Sequence, residues 1–463
     1  MKCIVTKWFC LLGLICFTSC NSTAQENKID TFMNILVSQK RISGAAVAAL
    51  KDNQVVYTKN YGFADLENKT PITDFTAFNI MSITKLFIAI ATMQLVNKRL
   101  INLDAPIKKY LSDLPTTYDS LLIYQLLNHS SGIPDFVHIK GYMAQANKTQ
   151  TPMQVLSPIL NKPLEFRPGE NNAYSNSGYF LLGLLIEKES GKKLANYLKE
   201  NIFNPAKMDD TYLEVNAGQN KLKAKGYTNI NGDLKKEIEL NPSQYWAAGG
   251  VVSTKNDLIK WDKALTSGLI LPTREINEMM KSQKLNNGNE SEYGLGFELM
   301  NMPTMKVAGN NGAGLGYNAS NLFFLNDGIT IIVLTNTSNS NSSMIAKNIR
   351  DIAVSEIGNR KSENYTSIKM DKLDSLVIQV FNDAKKSSIS PVYFNDSASF
   401  NKFKAEAASY IQSKGNLLTI QMKGEKVNPQ TIVRRYEIDF GKEKIMFVII
   451  FSVEGKIILI NHM

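Results

Sequence analysis

Ser82 and Lys85 stand at Ser-x-x-Lys spacing at the start of a long apolar run, residues 83–96. In a helix, residues three apart share one face, so Lys85 would lie one turn behind the Ser82 hydroxyl. Apolar residues occur on nearly every side of the run, which predicts a buried helix. Burial disfavours the charged form of lysine and lowers its pKa. A serine hydroxyl beside such a lysine is an activated nucleophile.

The spacing alone is weak evidence. Ser-x-x-Lys occurs three times in the chain, at Ser82/Lys85, Ser190/Lys193 and Ser399/Lys402. The second copy follows a predicted helix end and the third lies in a polar segment, so only the first opens a buried helix. Without that context, a chance pair on the surface is the favoured interpretation of any one copy.

A Tyr-x-Asn motif supplies a second candidate, Tyr174-Ser-Asn176, in a loop ahead of a predicted buried helix at residues 179–190. A nearby lysine ammonium favours the ionised form of a phenol. The sequence therefore suggests a Tyr174 phenolate that takes the Ser82 proton. Packing in the core or a cleft is the alternative for an isolated tyrosine, and the motif recurs at Tyr227 and Tyr393.

Histidine is scarce, since the chain holds only His129, His138 and His462. A Ser-His-Asp triad needs a histidine beside the nucleophile, and a metal site needs several ligands. We assign His129 a structural role at a helix end and expect neither a metal nor a cofactor. The glycine-rich residues 309–316 are a poor phosphate loop because strands follow them, so a tight strand-to-loop turn is predicted there.

The order of the three motifs, Ser82-Ile-Thr-Lys85, Tyr174-Ser-Asn176 and the glycine-rich stretch, resembles the serine β-lactamase and penicillin-binding-protein-like family. The closest branch comprises class C β-lactamases, D-alanyl-D-alanine carboxypeptidases and esterases. Other segments share the resemblance, among them Leu126-Leu-Asn-His-Ser-Ser-Gly-Ile-Pro134 and Ala247-Ala-Gly-Gly-Val-Val-Ser-Thr254. The resemblance covers about residues 30–357 and leaves the C-terminal segment outside.

By position, the resemblance implies that Ser82 is the acylated nucleophile and that Lys85 and Tyr174 share the proton transfers. It places Asn176 in the cleft, against Lys85 or the substrate amide. The backbone N–H groups of Ser82 and Ala313 would form the oxyanion hole.

The third motif departs from the family pattern. It usually begins with Lys or His, whereas the matching triplet here is Asn310-Asn-Gly312. The resemblance implies that Asn310 and Gly312 bind substrate. Asparagine offers hydrogen bonds but no charge for the carboxylate of a penicillin or of a D-Ala-D-Ala end. This weakens the case for β-lactamase and carboxypeptidase activity and leaves ester or amide hydrolysis open.

These motifs predict an exported serine hydrolase that forms an acyl-enzyme with a small-molecule or peptide substrate and needs no cofactor. The alternatives are a catalytically inactive binding protein on the same scaffold and a structural protein acting through its C-terminal segment. A formal charge of +10 over 463 residues, with no Lys/Arg block, disfavours nucleic-acid binding. The sequence leaves the oligomeric state open.

The N-terminal residues 1–20 are predicted to be a lipoprotein signal peptide. Lys2 and Lys7 precede and flank a short apolar region, and Cys20 follows in a lipobox-like context. We expect lipidation of Cys20, which would anchor the exported protein to a bacterial membrane. Cleavage after Ala24, giving a soluble form, is the alternative. All four cysteines lie in this segment, so the mature chain would hold no disulfide.

The predicted fold is α+β. Strands at residues 44–50 and 54–61, and again at 305–308, 318–325 and 329–335, bracket a mostly helical middle. The simplest packing is one antiparallel sheet built from both ends of the domain and flanked by helices, with a helical second lobe. The predicted boundaries are a hydrolase domain at 26–357, a linker at 358–369 and a small α+β domain at 370–463, in which we find no chemistry.

Overall fold

The computed structural model describes residues 23–215, 222–302, 305–361, 372–386, 388–414, 417, 419–427, 431–441, 443–452 and 455–462. The predicted signal peptide, including Cys20, lies outside these residues. The chain divides into two compact units, Met1–Lys361 and Ser362–Met463. The division falls inside the segment predicted as a linker, although the first four residues of that segment, 358–361, are helical.

The first unit contains a seven-stranded antiparallel sheet with the order β3-β2-β1-β12-β11-β10-β9. The strands of this unit are β1 Gly44–Lys51, β2 Gln54–Asp65, β3 Thr70–Pro71, β4 Phe78–Asn79, β5 Tyr212–Leu213, β6 Tyr227–Ile230, β7 Asp233–Lys236, β8 Val251–Ser253, β9 Glu298–Met302, β10 Met305–Gly314, β11 Tyr317–Phe324 and β12 Ile329–Thr335. At its centre β1 pairs with β12, with Ala45 opposite Thr335. The predicted sheet, built from both ends of the unit, is confirmed.

Helices cover both faces of this sheet. Those of the first unit are α1 Thr23–Ser38, α2 Thr84–Asn97, α3 Ile123–Leu127, α4 Pro152–Leu160, α5 Asn176–Ser190, α6 Leu194–Leu198, α7 Trp246–Gly249, α8 Lys255–Thr266, α9 Thr273–Met279 and α10 Ser342–Lys361. Successive residues of a strand point to opposite faces. Ala45 and Val47 of β1 therefore join the core under α1 and α10, while Ala46 and Ala48 join the core that contains α2.

Helix α2 is buried on all sides, as its apolar run predicts. Eleven of its fourteen residues are buried. A single turn of 3₁₀ helix, Met81–Ile83, precedes it and carries Ser82. The helix packs against α5 and α7, and the turn packs against β10. The nucleophile candidate is thus fixed between the helical lobe and the sheet.

The glycine-rich segment corrects one sequence prediction. Residues 309–314 lie within strand β10 and pair with β11 in continuous register, so the tight strand-to-loop turn predicted for 309–316 is wrong. The chain turns only at the end of the segment, where Gly316 adopts a positive φ of 81°. Glycines occur here because neighbouring backbone comes very close to the strand, as the site geometry shows.

The second unit is a small α+β domain. It has helices α11 Lys372–Lys385, α12 Ser397–Phe403 and α13 Ser409–Ser413, and an antiparallel sheet of strands β13 Thr419–Val427, β14 Thr431–Asp439, β15 Lys444–Ser452 and β16 Ile457–His462. Its own core includes Phe381, Phe447 and Ile449. Across the described parts of both units, no helix combines the length and hydrophobicity needed to cross a membrane.

Candidate active site

Ser82 lies in a backbone held in an uncommon conformation. The preceding residue, Met81, has a positive φ of 49°, a region that non-glycine residues seldom adopt. The side-chain oxygen of Asn79 accepts a hydrogen bond from the Met81 N–H at 2.8 Å, and Ile80 N–H donates to the carbonyl of Val251. These contacts stabilise the turn that directs Ser82 into a cavity. Asn79 belongs to no recognised motif, and its role in stabilising this turn was not predicted from the sequence.

Strand β10 passes extremely close to this turn at Gly312. A Cβ atom on Gly312 would stand 2.1 Å from the carbonyl oxygen of Ile80 and 3.0 Å from the backbone nitrogen of Ser82. Only glycine permits that approach. The position predicted to bind substrate therefore has a packing role: it lets Ala313, the next residue, reach the cavity beside Ser82.

Lys85 is buried, with 1% of its surface exposed, and its side-chain nitrogen makes three hydrogen bonds. It donates to Ser82 Oγ at 3.1 Å, to Asn176 Oδ1 at 2.8 Å and to the carbonyl oxygen of Ala248 at 2.7 Å. Desolvation lowers its pKa to about 7, and the negative charge of Asp135 opposes that shift. An appreciable share of the neutral amine is therefore present near neutral pH.

Tyr174 contacts the same serine from the other side. Its hydroxyl donates to Ser82 Oγ at 2.6 Å, and the Lys85 nitrogen lies 4.7 Å from the centre of its ring. The side chain lines the cavity and is 40% exposed, yet the protein packed around the phenol raises its pKa above the ordinary value. The predicted phenolate is thus wrong in direction, because desolvation raises the pKa of Tyr174 by more than its hydrogen bond to Ser82 lowers it. Tyr174 is a neutral hydrogen-bond donor at neutral pH.

Asn176 links Lys85 to a buried carboxylate that the sequence analysis missed. Its amide oxygen accepts from Lys85, while its amide nitrogen donates to Asp135 Oδ2 at 2.8 Å. Asp135 follows the Ser-Ser-Gly-Ile-Pro segment and is only 5% exposed. It belongs to no motif that we singled out. Its position directly after a segment that resembles the family, Leu126–Pro134, is the only sequence signal that could have drawn attention to it.

His129 has the structural role expected for it. Its ring is buried and stacks on Tyr174 with 4.5 Å between ring centres. Its Nδ1 accepts from the backbone N–H of Ser175 at 3.1 Å. Desolvation, reinforced by the neighbouring Lys85 charge, lowers its pKa well below the usual value, so the ring is neutral. It supports the Tyr174 ring, and within the described part of the chain no hydrogen bond joins it to Ser82.

The cavity beside Ser82 has a volume of about 550 Å³. Ser82, Tyr174, Asn176 and Ala313 all line it, and Lys85 lies directly behind Ser82. Its walls are mostly apolar and aromatic, with contributions from Phe136, Val137, Tyr142, Met143, Ile238, Leu240, Tyr245, Leu315 and Tyr317. Three of the predicted site residues, Tyr174, Asn176 and Ala313, therefore share one concave surface with Ser82.

Asn310, which was predicted to bind substrate, does not line the cavity. It is 8% exposed and its amide nitrogen donates to the carbonyl oxygen of Gly296 at 3.0 Å. Its side-chain oxygen has no partner within the described residues. Strand alternation places Asn310 on the face of β10 that turns toward the interior, so this asparagine packs inside the unit.

The comparisons with known proteins agree with this geometry. Residues 26–356 match the family model described as Beta-lactamase. The chain belongs to the beta-lactamase family. Among its relatives, penicillin-binding protein 4* of Bacillus subtilis is 27% identical over 333 residues, which are 67% of this chain and 72% of that protein.

Solved structures of this family share the fold. The D-amino acid amidase from Ochrobactrum anthropi SV3, in complex with D-phenylalanine, has a TM-score of 0.61 and 27% identity over 73% of this chain and 99% of its own. An octameric penicillin-binding protein homologue from Pyrococcus abyssi has a TM-score of 0.62 and covers 93% of this chain and 94% of its own. Its identity of 24% shows likeness of fold alone. The family comprises serine hydrolases and acyltransferases, which supports enzymatic activity.

Proposed function

We propose that this protein is a serine hydrolase that cleaves an ester or amide through an acyl-enzyme formed on Ser82. The observation that carries the proposal is the convergence of two groups on Ser82 Oγ, the Lys85 nitrogen at 3.1 Å and the Tyr174 hydroxyl at 2.6 Å. Both distances allow direct proton transfer. The serine also faces a cavity large enough for a small substrate.

In acylation, Ser82 Oγ forms a bond to the substrate carbonyl carbon and passes its proton to neutral Lys85. The developing oxyanion would lie between the backbone N–H groups of Ser82 and Ala313, which come together because Gly312 packs against the turn. Collapse of this intermediate breaks the bond to the leaving group. That group takes a proton from the Tyr174 hydroxyl, and the Lys85 ammonium, which lies beside the Tyr174 ring, gives its proton to the Tyr174 oxygen. Lys85 is then neutral again.

Deacylation repeats the sequence with water as the nucleophile. Water adds to the acyl carbonyl and gives up a proton to neutral Lys85. The carboxylic acid product leaves as the bond to Ser82 Oγ breaks, and the serine recovers its proton. Lys85, Tyr174 and Ser82 relay every proton in this scheme and end in their starting protonation states, and the scheme uses no cofactor.

For the substrate, we propose an uncharged ester or amide with an apolar acyl group. The apolar walls of the cavity favour such a group. Asn310 brings no charge to the third motif, and Lys306, exposed on the same strand, does not line the cavity. Of the three lysines that line the cavity, Lys223 is paired with Glu214 and Glu239, and Lys225 with Asp65. The third, Lys236, is exposed at the end of β7 and is followed by Glu237, which also lines the cavity. The name of the D-amino acid amidase describes an amide substrate for that neighbour.

The test combines a serine-directed fluorophosphonate probe with substrate kinetics. The wild-type protein should be labelled at Ser82, as read by mass spectrometry, and Ser82→Ala should abolish both labelling and hydrolysis at unchanged Tm. Aryl esters should have a higher kcat/KM than penicillins or D-Ala-D-Ala peptides. Labelling that persists in Ser82→Ala contradicts the assignment of the nucleophile. A folded protein that is never labelled would instead support the inactive binding protein.

For the cellular location, we propose export followed by lipidation of Cys20. The short apolar region, its flanking lysines and the lipobox-like Thr-Ser-Cys sequence support this proposal. The anchor would hold the enzyme on the outer side of a bacterial membrane, with the cavity open to small molecules or peptides there.

A further inference from the structure

Asp135 lies in a loop that is attached to the start of helix α5. The Ser177 hydroxyl donates to the Pro134 carbonyl at 2.8 Å and accepts from the Phe136 N–H at 3.0 Å. These bonds fix the backbone on both sides of Asp135. Its carboxylate is therefore placed with little freedom, and only 5% of the residue is exposed.

The contacts of this carboxylate are all with hydrogen-bond donors. Asp135 Oδ2 accepts from the Asn176 backbone N–H at 3.1 Å and from Asn176 Nδ2 at 2.8 Å, and Oδ1 accepts from the Val137 N–H at 3.2 Å. Asn176 is the first residue of α5, so the carboxylate also lies at the positive end of a helix. Three N–H donors and a helix N-terminus therefore converge on the two oxygens of this carboxylate.

The same contacts decide which way the Asn176 amide points. A carboxylate can only accept, so Nδ2 must face Asp135 and Oδ1 must face Lys85. The reversed amide would place an oxygen against the carboxylate and an N–H group against the lysine ammonium. Asp135 thus selects the orientation in which Asn176 accepts from Lys85.

The titratable side chains around Lys85 are His129, Tyr174, Tyr179 and Asp135. Burial lowers the pKa of His129 and raises the pKa of both tyrosines, so all three are neutral near pH 7. Among the described residues, Asp135 is then the charged group that acts on Lys85, and it favours the ammonium form.

We propose that Asp135 is a positioning residue that orients the Asn176 amide and balances the charge of the Lys85 ammonium between the two proton-transfer steps. Its function rests on the proposed acyl-enzyme mechanism, in which Lys85 must both take a proton from Ser82 and return it. Without a negative charge behind Asn176, the buried ammonium would be too poorly stabilised to hold that proton.

The decisive variant is Asp135→Asn, which keeps the size and one acceptor oxygen but removes the charge. Lys85 should then lose its proton at lower pH. The acidic limb of kcat/KM against pH should move down by about half a pH unit or more, since an opposite charge nearby raises a lysine pKa by an amount of this order. If Asp135 had only a structural role, its replacement would lower Tm, or would lower kcat at every pH. The acidic limb of the kcat/KM profile would then stay at the same pH.

The matched control is Asp257→Asn on helix α8. Asp257 is also fully buried and accepts from the Asp210 N–H and the Thr211 hydroxyl, but it does not line the cavity. This variant should lower Tm without moving the limb. If Asp135→Asn does not fold, Asp135→Ser removes the same charge from a smaller side chain and carries the same expectation.

The inference is overturned if a folded and active Asp135 variant keeps the acidic limb of its kcat/KM profile at the wild-type pH. It is also overturned if that limb moves to higher pH. Either outcome leaves the proposed function intact. Conversely, activity that survives in Ser82→Ala refutes the acyl-enzyme on Ser82 whatever Asp135 does.

Discussion

The carbonyl oxygen of Ala248 lies 2.7 Å from the side-chain nitrogen of Lys85. This oxygen and Asn176 Oδ1 can only accept hydrogen bonds, whereas the Ser82 hydroxyl can also donate. When Lys85 loses a proton, its two remaining N–H bonds are retained by the two obligate acceptors. The lone pair is then directed at Ser82, so the surroundings of Lys85 prepare it to act as a base toward that residue.

This arrangement predicts a pH dependence for hydrolysis of a neutral aryl ester. The pKa of Lys85 is lowered to about 7, so the ammonium dominates below that pH and the active amine above it. Accordingly, kcat/KM should rise tenfold per pH unit below about 7 and level off above it. Lys85→Met should abolish activity, whereas Lys98→Met, at the exposed end of the same helix, should leave the profile unchanged. A flat profile between pH 5.5 and about 8 would rule out this role for Lys85.

Gly312→Ala should impair catalysis strongly. The added Cβ would stand 2.1 Å from the Ile80 carbonyl, so β10 and the turn must separate. Because the two proposed oxyanion donors lie on those two segments, kcat should fall by about 100-fold or more. The control is Gly178→Ala in α5, where the nearest atom to a Cβ is 3.6 Å away. If Gly312→Ala turns over substrate at the wild-type rate, the close approach does not matter for the reaction.

Asp262 should make the protein less stable as the pH rises. It is buried on α8, where Asn321 donates to one of its oxygens at 2.7 Å, and the other oxygen has no partner in the described chain. Burial raises its pKa from 3.8 to about 8. Between these values the unfolded chain releases a proton that the folded chain retains, so stability falls with increasing pH.

Asp262→Asn removes this penalty because an amide cannot ionise. The variant should match the wild type in Tm near pH 4 and exceed it at pH 8, by an amount on the order of a few kcal/mol in the free energy of unfolding. Thermal unfolding of both proteins at the two pH values provides the measurement. If the variant is less stable than the wild type by the same amount at both pH values, the carboxyl of Asp262 contributes only through its hydrogen bond and not through its ionisation.

Cys20→Ser should release the protein from the membrane fraction of a bacterium that expresses it. The reason is that a thioether-linked lipid requires the cysteine sulfur. Fractionation followed by mass spectrometry of the mature N-terminus distinguishes the outcomes. A wild-type N-terminus at Gln25 without lipid would favour the soluble form, and Cys16→Ser provides a cysteine control within the same segment.

The sequence was most informative where local spacing determines geometry. Ser82 lies in the turn that leads into a helix buried on all sides, and Lys85 lies three residues later in its first turn, so their contact and the lowered pKa of Lys85 follow from the sequence. The sheet was also predictable, because β1 and β12 are apolar runs that are buried on both faces.

The errors concern groups whose environment is set by distant parts of the chain. The pKa of Tyr174 depends mainly on how tightly the folded chain encloses the phenol, and the sequence does not reveal that enclosure. Asn310 faces inward because of the register of β10, which no motif reveals. Asp135 was missed because its role depends on Asn176, which is 41 residues away in the sequence and contacts it only in the folded chain. A search for motifs tests each segment separately and cannot detect such a pair.

The pairing of β1 with β12 has a consequence for biosynthesis. Ala45 and Thr335 are neighbours in the middle of the sheet, although nearly the whole first unit separates them along the chain. A ribosome that has made only the first half of this unit has exposed β1 without the strand that must lie beside it. The sheet therefore cannot be completed until β12 has left the ribosome. Contacts between residues this distant in sequence also form slowly. Until then the nascent chain has an unpaired apolar strand, and premature termination anywhere before β12 should yield an aggregation-prone fragment.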